Sequence, residues 1–206
     1  MSVDNATEKR LRALFEKVIA ISNNVYFCEV DGVWRKYTLK EGLVESVVYK
    51  SVRYIKREEV VLAHIDDLTS EVIDTNGEII YKLKTPGMQV LNVVNGMLYV
   101  NQNNLKGILS RDYGIIVPFI NYNIRFYEKS PYIVLEQMDG EKLADYNGRI
   151  LINGIFDSLA PLKNGQVLGI IDRSNYVLDP INGPDMKYRV KNIKQIKALK
   201  KCNEIQ

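Results

Sequence analysis

The single histidine of this sequence and the carboxylates near it are the first residues that could do chemistry. His64 ends the apolar run Val60–Ala63 and lies shortly before Asp66 and Asp67. A histidine beside carboxylates can act as a general base when it faces a pocket. Because the sequence around His64 contains no nucleophile pattern, we expect a partly buried residue at the end of a strand instead.

Three aspartates recur at similar places in the chain, namely Asp74, Asp145 and Asp172. Paired carboxylates about 5 to 10 Å apart define the active sites of glycosidases. An aspartate at the first position of a turn instead accepts hydrogen bonds from backbone N–H groups two residues further on. Each of the three precedes a turn signal, so we predict that they stabilise turns.

The sequence offers little for a metal, a nucleotide or a covalent intermediate. One histidine and two distant cysteines, Cys28 and Cys202, cannot supply the three or four ligands of a zinc site. The glycine patterns of phosphate-binding loops are absent from the sequence, and so is the Gly-x-Ser-x-Gly nucleophile elbow. We expect two free thiols, no metal, no cofactor and no enzymatic activity.

Tyrosine is abundant, with 13 in the chain, and arginines lie among the later ones. Both residue types are enriched at the hot spots of protein interfaces because each supplies a flat contact surface with a polar tip. Tyrosine also suits the half-buried positions of strands, and this alternative stays open for each residue. The candidate binding residues are Tyr113, Tyr122, Arg125, Tyr127, Tyr146, Arg149 and Tyr176.

The last part of the sequence is strongly basic. Seven cations and one anion lie between residues 187 and 206, so the first 186 residues carry a net charge of −3. Clustered cations bind nucleic acid by releasing counterions from the phosphates. The alternative is a solvated helix, since no aromatic residue follows Tyr188 to stack on bases. The cations are Lys187, Arg189, Lys191, Lys194, Lys197, Lys200 and Lys201.

The elements that position these residues are indicated by a repeated phrase. It consists of an apolar pair, an aspartate or polar substitute, Asn-Gly or a relative, and a second apolar run. Gly77, Gly114 and Gly148 align three copies at steps of 37 and 34 residues, and a weaker fourth copy places Asn175 another 27 residues on. A period in this range indicates a repeat architecture.

Turn signals divide the chain into short strands. Asp-Gly and Asn-Gly pairs favour hairpins because a type I′ turn needs positive φ at both central residues. The spacing of the turns leaves no room for crossover helices, so the sheets must be antiparallel. One kind of turn is expected at Asp31-Gly32, Asn76-Gly77, Asp112 to Gly114, Asn147-Gly148 and Ser174-Asn175, and the other at Arg57-Glu58, Asn95-Gly96, Lys129-Ser130 and Asn164-Gly165.

The predicted fold is therefore an all-β, antiparallel hairpin-repeat array, either an open solenoid or propeller-like. Units of about 35 residues would each hold three or four strands. Apolar residues at helical spacing predict an N-terminal helix over about Ala6 to Ile21, and a narrower stripe predicts a basic helix over Lys187 to Lys201. The expected domains are residues 1–24, the helix packed on the array; 25–183, the β-repeat domain; and 184–206, the basic helix or tail.

Composition is that of a soluble protein, with 46% apolar and 26% charged residues. No apolar run approaches the roughly 18 residues of a membrane helix, and the first residues lack the features of a signal peptide. We predict a cytoplasmic protein without a membrane partner.

Several segments resemble a degenerate form of the WG-repeat family, a bacterial repeat. The matches are Gly107 to Pro118, Gly154 to Leu159 and Gly169 to Pro180, within a similarity that covers about residues 26 to 180. The Trp-Gly dipeptide of that family is absent, and the only tryptophan is Trp34. The resemblance implies an all-β repeat with a binding or scaffold role and no shared catalytic residues.

These observations predict a non-enzymatic protein that binds a macromolecule. The partner is expected to be another protein, and one face of the β-repeat would act as an adaptor or inhibitor surface. The alternative is a nucleic-acid-associated protein anchored by the lysine-rich C-terminal segment.

Overall fold

A computed structural model describes residues 5–180, 187–189 and 201–205. The chain divides into two compact units, Met1–Asn103 and Asn104–Gln206. The first unit contains α1 (Asn5–Leu14), β1 (Lys17–Ala20), β2 (Val25–Val30), β3 (Val33–Thr38), β4 (Gly42–Leu43), β5 (Ser51–Ile55), β6 (Val60–His64), β7 (Thr69–Ile73), β8 (Ile79–Lys84), β9 (Met88–Val94) and β10 (Met97–Gln102). The second contains β11 (Leu105–Leu109), β12 (Ile115–Asn121), β13 (Asn123–Tyr127), β14 (Tyr132–Gln137), β15 (Gly140–Asp145), β16 (Ile150–Phe156), β17 (Ser158–Pro161), β18 (Val167–Ile171), β19 (Ser174–Leu178), β20 (Lys187–Arg189) and β21 (Glu204–Ile205).

Strands of the first unit pair with their neighbours in sequence. Strands β1 to β4 form one antiparallel sheet in that order, β5 to β8 form a second, and β9 pairs with β10. Short connections allow only this arrangement, because parallel neighbours would need crossovers of a dozen residues or more.

The second unit repeats the pattern. Strand β11 pairs with β12, β13 to β16 form a sheet in order with β21 added beside β13, and β17 to β20 form another. The predicted all-β array of antiparallel hairpins, with up to four strands in each repeat, is thereby confirmed.

Glycine follows an acidic or amide residue in two of the two-residue hairpin turns. Asp31 and Gly32 have φ of 52° and 75°, and Asn95 and Gly96 have 51° and 71°. Both pairs therefore adopt the left-handed conformation that a type I′ turn requires.

The second kind of predicted turn is confirmed as a periodic feature. Arg57-Glu58, Asn95-Gly96, Lys129-Ser130 and Asn164-Gly165 lie in the connections β5–β6, β9–β10, β13–β14 and β17–β18, which are four strands apart.

The first kind of predicted turn needs two corrections. Asp31-Gly32 joins β2 to β3 and so lies outside the four-strand period. Ser174 and Asn175 are strand residues, because the chain already turns at Asp172 and Arg173, whose φ values are 45° and 62°. This tight turn lets Ile171 pair directly with Ser174.

The N-terminal helix is shorter than predicted. It ends at Leu14, and residues 17–20 form a strand whose Val18 pairs with Cys28 of β2. Val18 is β-branched and becomes buried by pairing rather than by extending the helix. Helix α1 contributes Leu11 to a small core with Val18, Tyr26 and Cys28.

The predicted basic helix is wrong at both of its described ends. Lys187–Arg189 is a strand paired with β19, and Lys201 forms an isolated bridge with Leu162. The apolar residues whose spacing predicted the helix all lie outside these two described segments. Lys191, Lys194, Lys197 and Lys200 lie outside the described residues.

Each unit has an apolar interior between its sheets. In the first unit Phe27, Tyr49, Val61 and Ile73 pack together from β2, the chain before β5, β6 and β7. In the second, residues of β13 to β19 form a larger cluster. Among the described residues, no helix has the length and hydropathy that a membrane crossing requires.

Candidate functional site

The repeated phrase forms one kind of five-residue turn. In the first copy the N–H of Asp74 donates to the carbonyl of Glu78 (2.9 Å), and the N–H of Gly77 donates to the carbonyl of Asp74 (3.1 Å). Asp74 Oδ1 accepts from the N–H groups of Asn76 and Glu78, both at 2.9 Å. The aspartate therefore satisfies the donors inside its own turn.

The copy at Asp145 has the same geometry. Asp145 Oδ1 accepts from the N–H groups of Asn147 and Arg149, both at 2.9 Å, and the N–H of Gly148 donates to the carbonyl of Asp145. The turn role predicted for Asp74 and Asp145 is confirmed, and both carboxylates are engaged in it.

Asp172 does not have that role. It lies inside the two-residue turn between β18 and β19, and its N–H donates to Asp157 Oδ2 at 2.9 Å. The fourth copy of the phrase is therefore not equivalent to the other three, which explains its shorter spacing.

The middle copy differs from its neighbours at one position. Its turn runs from Ser110 to Gly114, and Ser110 Oγ accepts from the N–H of Gly114 at 3.0 Å. The N–H of Tyr113 donates to the carbonyl of Ser110, as Gly77 and Gly148 donate in the other copies. Tyr113, not Gly114, therefore occupies the glycine position, and the three equivalent residues are spaced 36 and 35 apart.

This position has a left-handed backbone in all three copies. The φ values are 85° at Gly77, 60° at Tyr113 and 80° at Gly148. Glycine adopts this conformation freely, whereas an L-residue with a side chain is disfavoured by about 1 kcal/mol. Tyr113 is nevertheless 43% exposed, so burial does not offset this cost fully.

Isoleucine follows the turn at the start of β12. Ile115 is 65% exposed and lies opposite Leu109, the last residue of β11. The corresponding residues of the other copies are Ile79 and Ile150, which lie opposite Ile73 and Ala144. An apolar residue is thus exposed at the same register position after each of the three turns.

The turn before β16 lies against β12. A Cβ built on Gly148 would lie 2.1 Å from the carbonyl oxygen of Ile116. Only glycine permits this approach, which brings Arg149 and Ile150 next to the start of β12. Arg149 is exposed and Ile150 is 40% exposed. We call Tyr113, Ile115, Arg149 and Ile150 the turn face.

Three of the other predicted binding residues pack against the interior of the second unit. Tyr127 is buried, which raises its pKa to about 12, and Tyr146 stacks on Phe126 at a centroid distance of 6.5 Å. Tyr176 packs on the core of the second unit. Tyr122 is 53% exposed but lies just after β12, at the end opposite the turn.

Arg125 joins two sheets of the second unit. Its guanidinium forms an ion pair with Glu141 and donates to the carbonyl of Leu159, whose N–H donates to Glu141 at 2.6 Å. Burial raises the pKa of Glu141, while the Leu159 N–H and Arg125 partly oppose that shift. Arg125 therefore connects β13 to β15 and β17.

His64 lies at the end of β6, as predicted, and is half-buried. Its Nδ1 is 2.9 Å from Ser70 Oγ, and Arg53, Gln89 and Leu91 line an open cleft of about 280 Å³ beside it. Burial lowers the pKa of His64, and the charge of Arg53 adds to that shift. Ser70 is only 2% exposed, so its hydroxyl is buried, whereas His64 itself lines the cleft.

Both cysteines are free and buried. Burial raises the pKa of Cys28 to about 11 and also raises that of Cys202. A protonated, buried thiol is a weak nucleophile.

The sequence analysis did not single out the exposed isoleucines that follow the turns. It also did not show that Tyr113 replaces glycine in the middle turn. Aligning the apolar pairs Ile79-Ile80, Ile115-Ile116 and Ile150-Leu151, instead of the glycines, would have found both. Of the seven predicted residues, the turn face retains Tyr113 and Arg149.

Comparison with family models found no match, and comparison with curated proteins found none. Solved structures similar to this chain include Hsv2 of Kluyveromyces lactis, with 11% identity over 81% of this chain and 60% of that one and a TM-score of 0.45. PorZ, a surface component of the type-IX secretion system of Porphyromonas gingivalis, matches at 11% identity over 84% and 28% of the two chains, with a TM-score of 0.41.

A third similar structure is the beta-propeller domain of Cps50 (Swd1) from Myceliophteria thermophila. It matches at 10% identity over 89% of this chain and 69% of that domain, with a TM-score of 0.37. The chain spans 60% of the length of Hsv2 and 28% of that of PorZ. No family is assigned.

Proposed function

We propose that this protein is a non-enzymatic repeat protein that binds another protein through the turn face, as an adaptor or inhibitor. One observation carries the proposal: an exposed tyrosine stands where the two equivalent turns have glycine. A residue kept in a disfavoured conformation at the surface points to a role outside folding.

The composition of the turn face supports a protein partner. A tyrosine and an arginine lie beside two exposed isoleucines, which is the mixture that forms interface hot spots. The turns that carry them are held by backbone hydrogen bonds and by the contact of Gly148 with β12. A rigid surface loses little conformational entropy on binding. Membership of the WG-repeat family, whose implied role is also binding, is part of the proposal.

The test compares full-length chains as baits for proteins from a lysate treated with nuclease. Tyr113→Gly is expected to lower the affinity of the captured partner by about tenfold or more, since truncating a hot-spot residue costs about 2 kcal/mol or more. The same substitution should raise the free energy of unfolding by about 1 kcal/mol, because glycine suits φ of 60°.

Met138→Ala is the matched control, since Met138 is 90% exposed on the β14–β15 turn of the same unit. The affinity is measured with the purified partner by calorimetry. Equal affinity of the Tyr113→Gly and Met138→Ala chains for the partner would contradict the proposal. Capture of nucleic acid alone, lost on nuclease treatment, would favour the basic segment instead.

A further inference from the structure

Residues Lys201–Ile205 form a short extended segment that lies on two sheets of the second unit. Strand β21 pairs antiparallel with β13, with Ile205 opposite Phe126 and Glu204 opposite Tyr127. The N–H of Glu128 donates to the carbonyl of Asn203 at 2.7 Å. On the other side, the N–H of Cys202 donates to the carbonyl of Pro161 at 2.9 Å.

Few contacts hold this segment. Cys202 is 8% exposed and enters the core beside Tyr127 and Leu159, whereas Lys201, Asn203 and Glu204 are exposed. Removing Cys202, the half-buried Ile205 and a few hydrogen bonds from their partners costs far less than unfolding the unit. The segment can therefore leave while the sheets stay folded.

Strand β13 is the first strand of its sheet, so without the segment its outer edge would present unpaired backbone groups. Such an edge pairs with extended chains. The present occupant shows the required form: an antiparallel strand with a small side chain at the Cys202 position and an N–H that reaches Pro161.

Charge beside the edge adds a preference. A small cavity of about 190 Å³ is lined by Lys129, Lys163, Glu128, Cys202 and Asn203. The sheets contribute Lys129, Lys163 and Glu128 to this cavity, a net charge of +1 that favours an acidic occupant.

We propose that the outer edge of β13 is a docking site for an extended acidic segment of a partner protein, and that Lys201–Ile205 covers this site in cis. The partner strand and the chain's own segment compete for the same edge. This site is separate from the turn face, and neither proposal depends on the other.

Opening of the segment is measured by thiol labelling of the full chain followed by mass spectrometry. Cys202 is expected to react about tenfold or more faster than the thiol introduced by Ala144→Cys, because Ala144 is fully buried in β15 of the same unit. Equal labelling rates would mean that Cys202 is exposed only when the whole unit unfolds, which would overturn the proposal.

Docking is tested by adding peptides to the unaltered chain. The acidic peptide Glu-Ala-Asn-Glu-Ile should speed Cys202 labelling in proportion to its concentration, reaching about twofold in the millimolar range, where it competes with a tethered segment. The control Glu-Pro-Asn-Glu-Ile has the same charge but lacks the N–H that donates to the carbonyl of Pro161, and it should have no effect. Equal effects of both peptides, or none from either, would overturn the proposal. These readouts do not involve Tyr113.

Discussion

The turn glycines of this protein are restricted in two different ways. Gly148 combines φ of 80° with a backbone contact that a Cβ would occupy, whereas Gly165 has φ of 85° and open space around it. The first position is restricted by conformation and by packing, and the second by conformation alone. This difference identifies Gly148 as the residue that sets the distance between the β15–β16 turn and β12.

Gly148→Ala is expected to lower the free energy of unfolding by about 3 kcal/mol, the sum of the left-handed penalty and an overpacked contact. Gly165→Ala should lose only about 1 kcal/mol from the penalty alone. Urea denaturation of both full-length variants measures the difference. Equal losses would show that the turn moves away from Ile116 at no cost.

His64 should make stability depend on pH in one direction. Its pKa is lower in the folded state than the ordinary value of about 6.5, so the unfolded chain binds more protons near that pH. Its contribution is complete above pH 6.5 or so and is lost as the pH falls through that region.

The prediction is tested with His64→Gln, since His64 is the only histidine. From pH 7.5 to pH 5.5 the wild-type chain should lose more of its free energy of unfolding than the variant does. Parallel curves for the two chains would show that His64 titrates alike in both states.

At the scale of elements, a buried carboxylate fastens the two sheets of the first unit. Glu71 on β7 is 1% exposed; it accepts from Lys82 Nζ of β8 at 2.6 Å and from the Tyr49 hydroxyl at 3.1 Å. Tyr49 exchanges two backbone hydrogen bonds of 2.8 Å with Trp34 of β3. One side chain thus connects β7, β8 and the neighbouring sheet.

Lys82→Met is expected to lower the free energy of unfolding by about 2 kcal/mol, because it leaves the buried carboxylate of Glu71 without its cation. The loss is smaller than for a fully buried pair, because the Lys82 side chain is half-exposed and water reaches its position. Lys84→Met, on the same strand and exposed, should change it by less than about 0.5 kcal/mol. Thermal and urea unfolding measure both. Similar small losses would mean that Tyr49 alone satisfies Glu71.

For the whole molecule, we propose that the β-repeat, and not the basic C-terminal segment, binds the partner. Deleting the chain after Met186 would also remove β20, which pairs with β19, so it would disturb the second unit. Substitutions in the full chain remove the positive charges and leave these strands in place.

Replacing Lys191, Lys194, Lys197 and Lys200 by glutamine should leave the affinity for a protein partner of the turn face unchanged. Any binding to DNA in a filter assay should weaken and depend less steeply on salt, since fewer counterions are released. Loss of the protein partner in this variant would instead assign binding to the basic segment.

The sequence alone determined where most turns lie and that the sheets are antiparallel, because positive φ, short connections and turn hydrogen bonds depend on a few neighbouring residues. It also identified Asp74 and Asp145 as turn residues. The same local logic failed at Ser174, because the turn forms two residues earlier, at Asp172 and Arg173.

Only the tertiary structure decided which tyrosines are exposed, that Tyr113 takes a glycine position, and that residues 187–189 and 201–205 are strands. These properties depend on which distant strands pair and pack. Val18 is strand rather than helix because it pairs with Cys28, and Cys202 is buried because β13 offers an edge far away in sequence. Burial is a property of the assembled sheets, so it cannot be obtained from the spacing of residues along the chain.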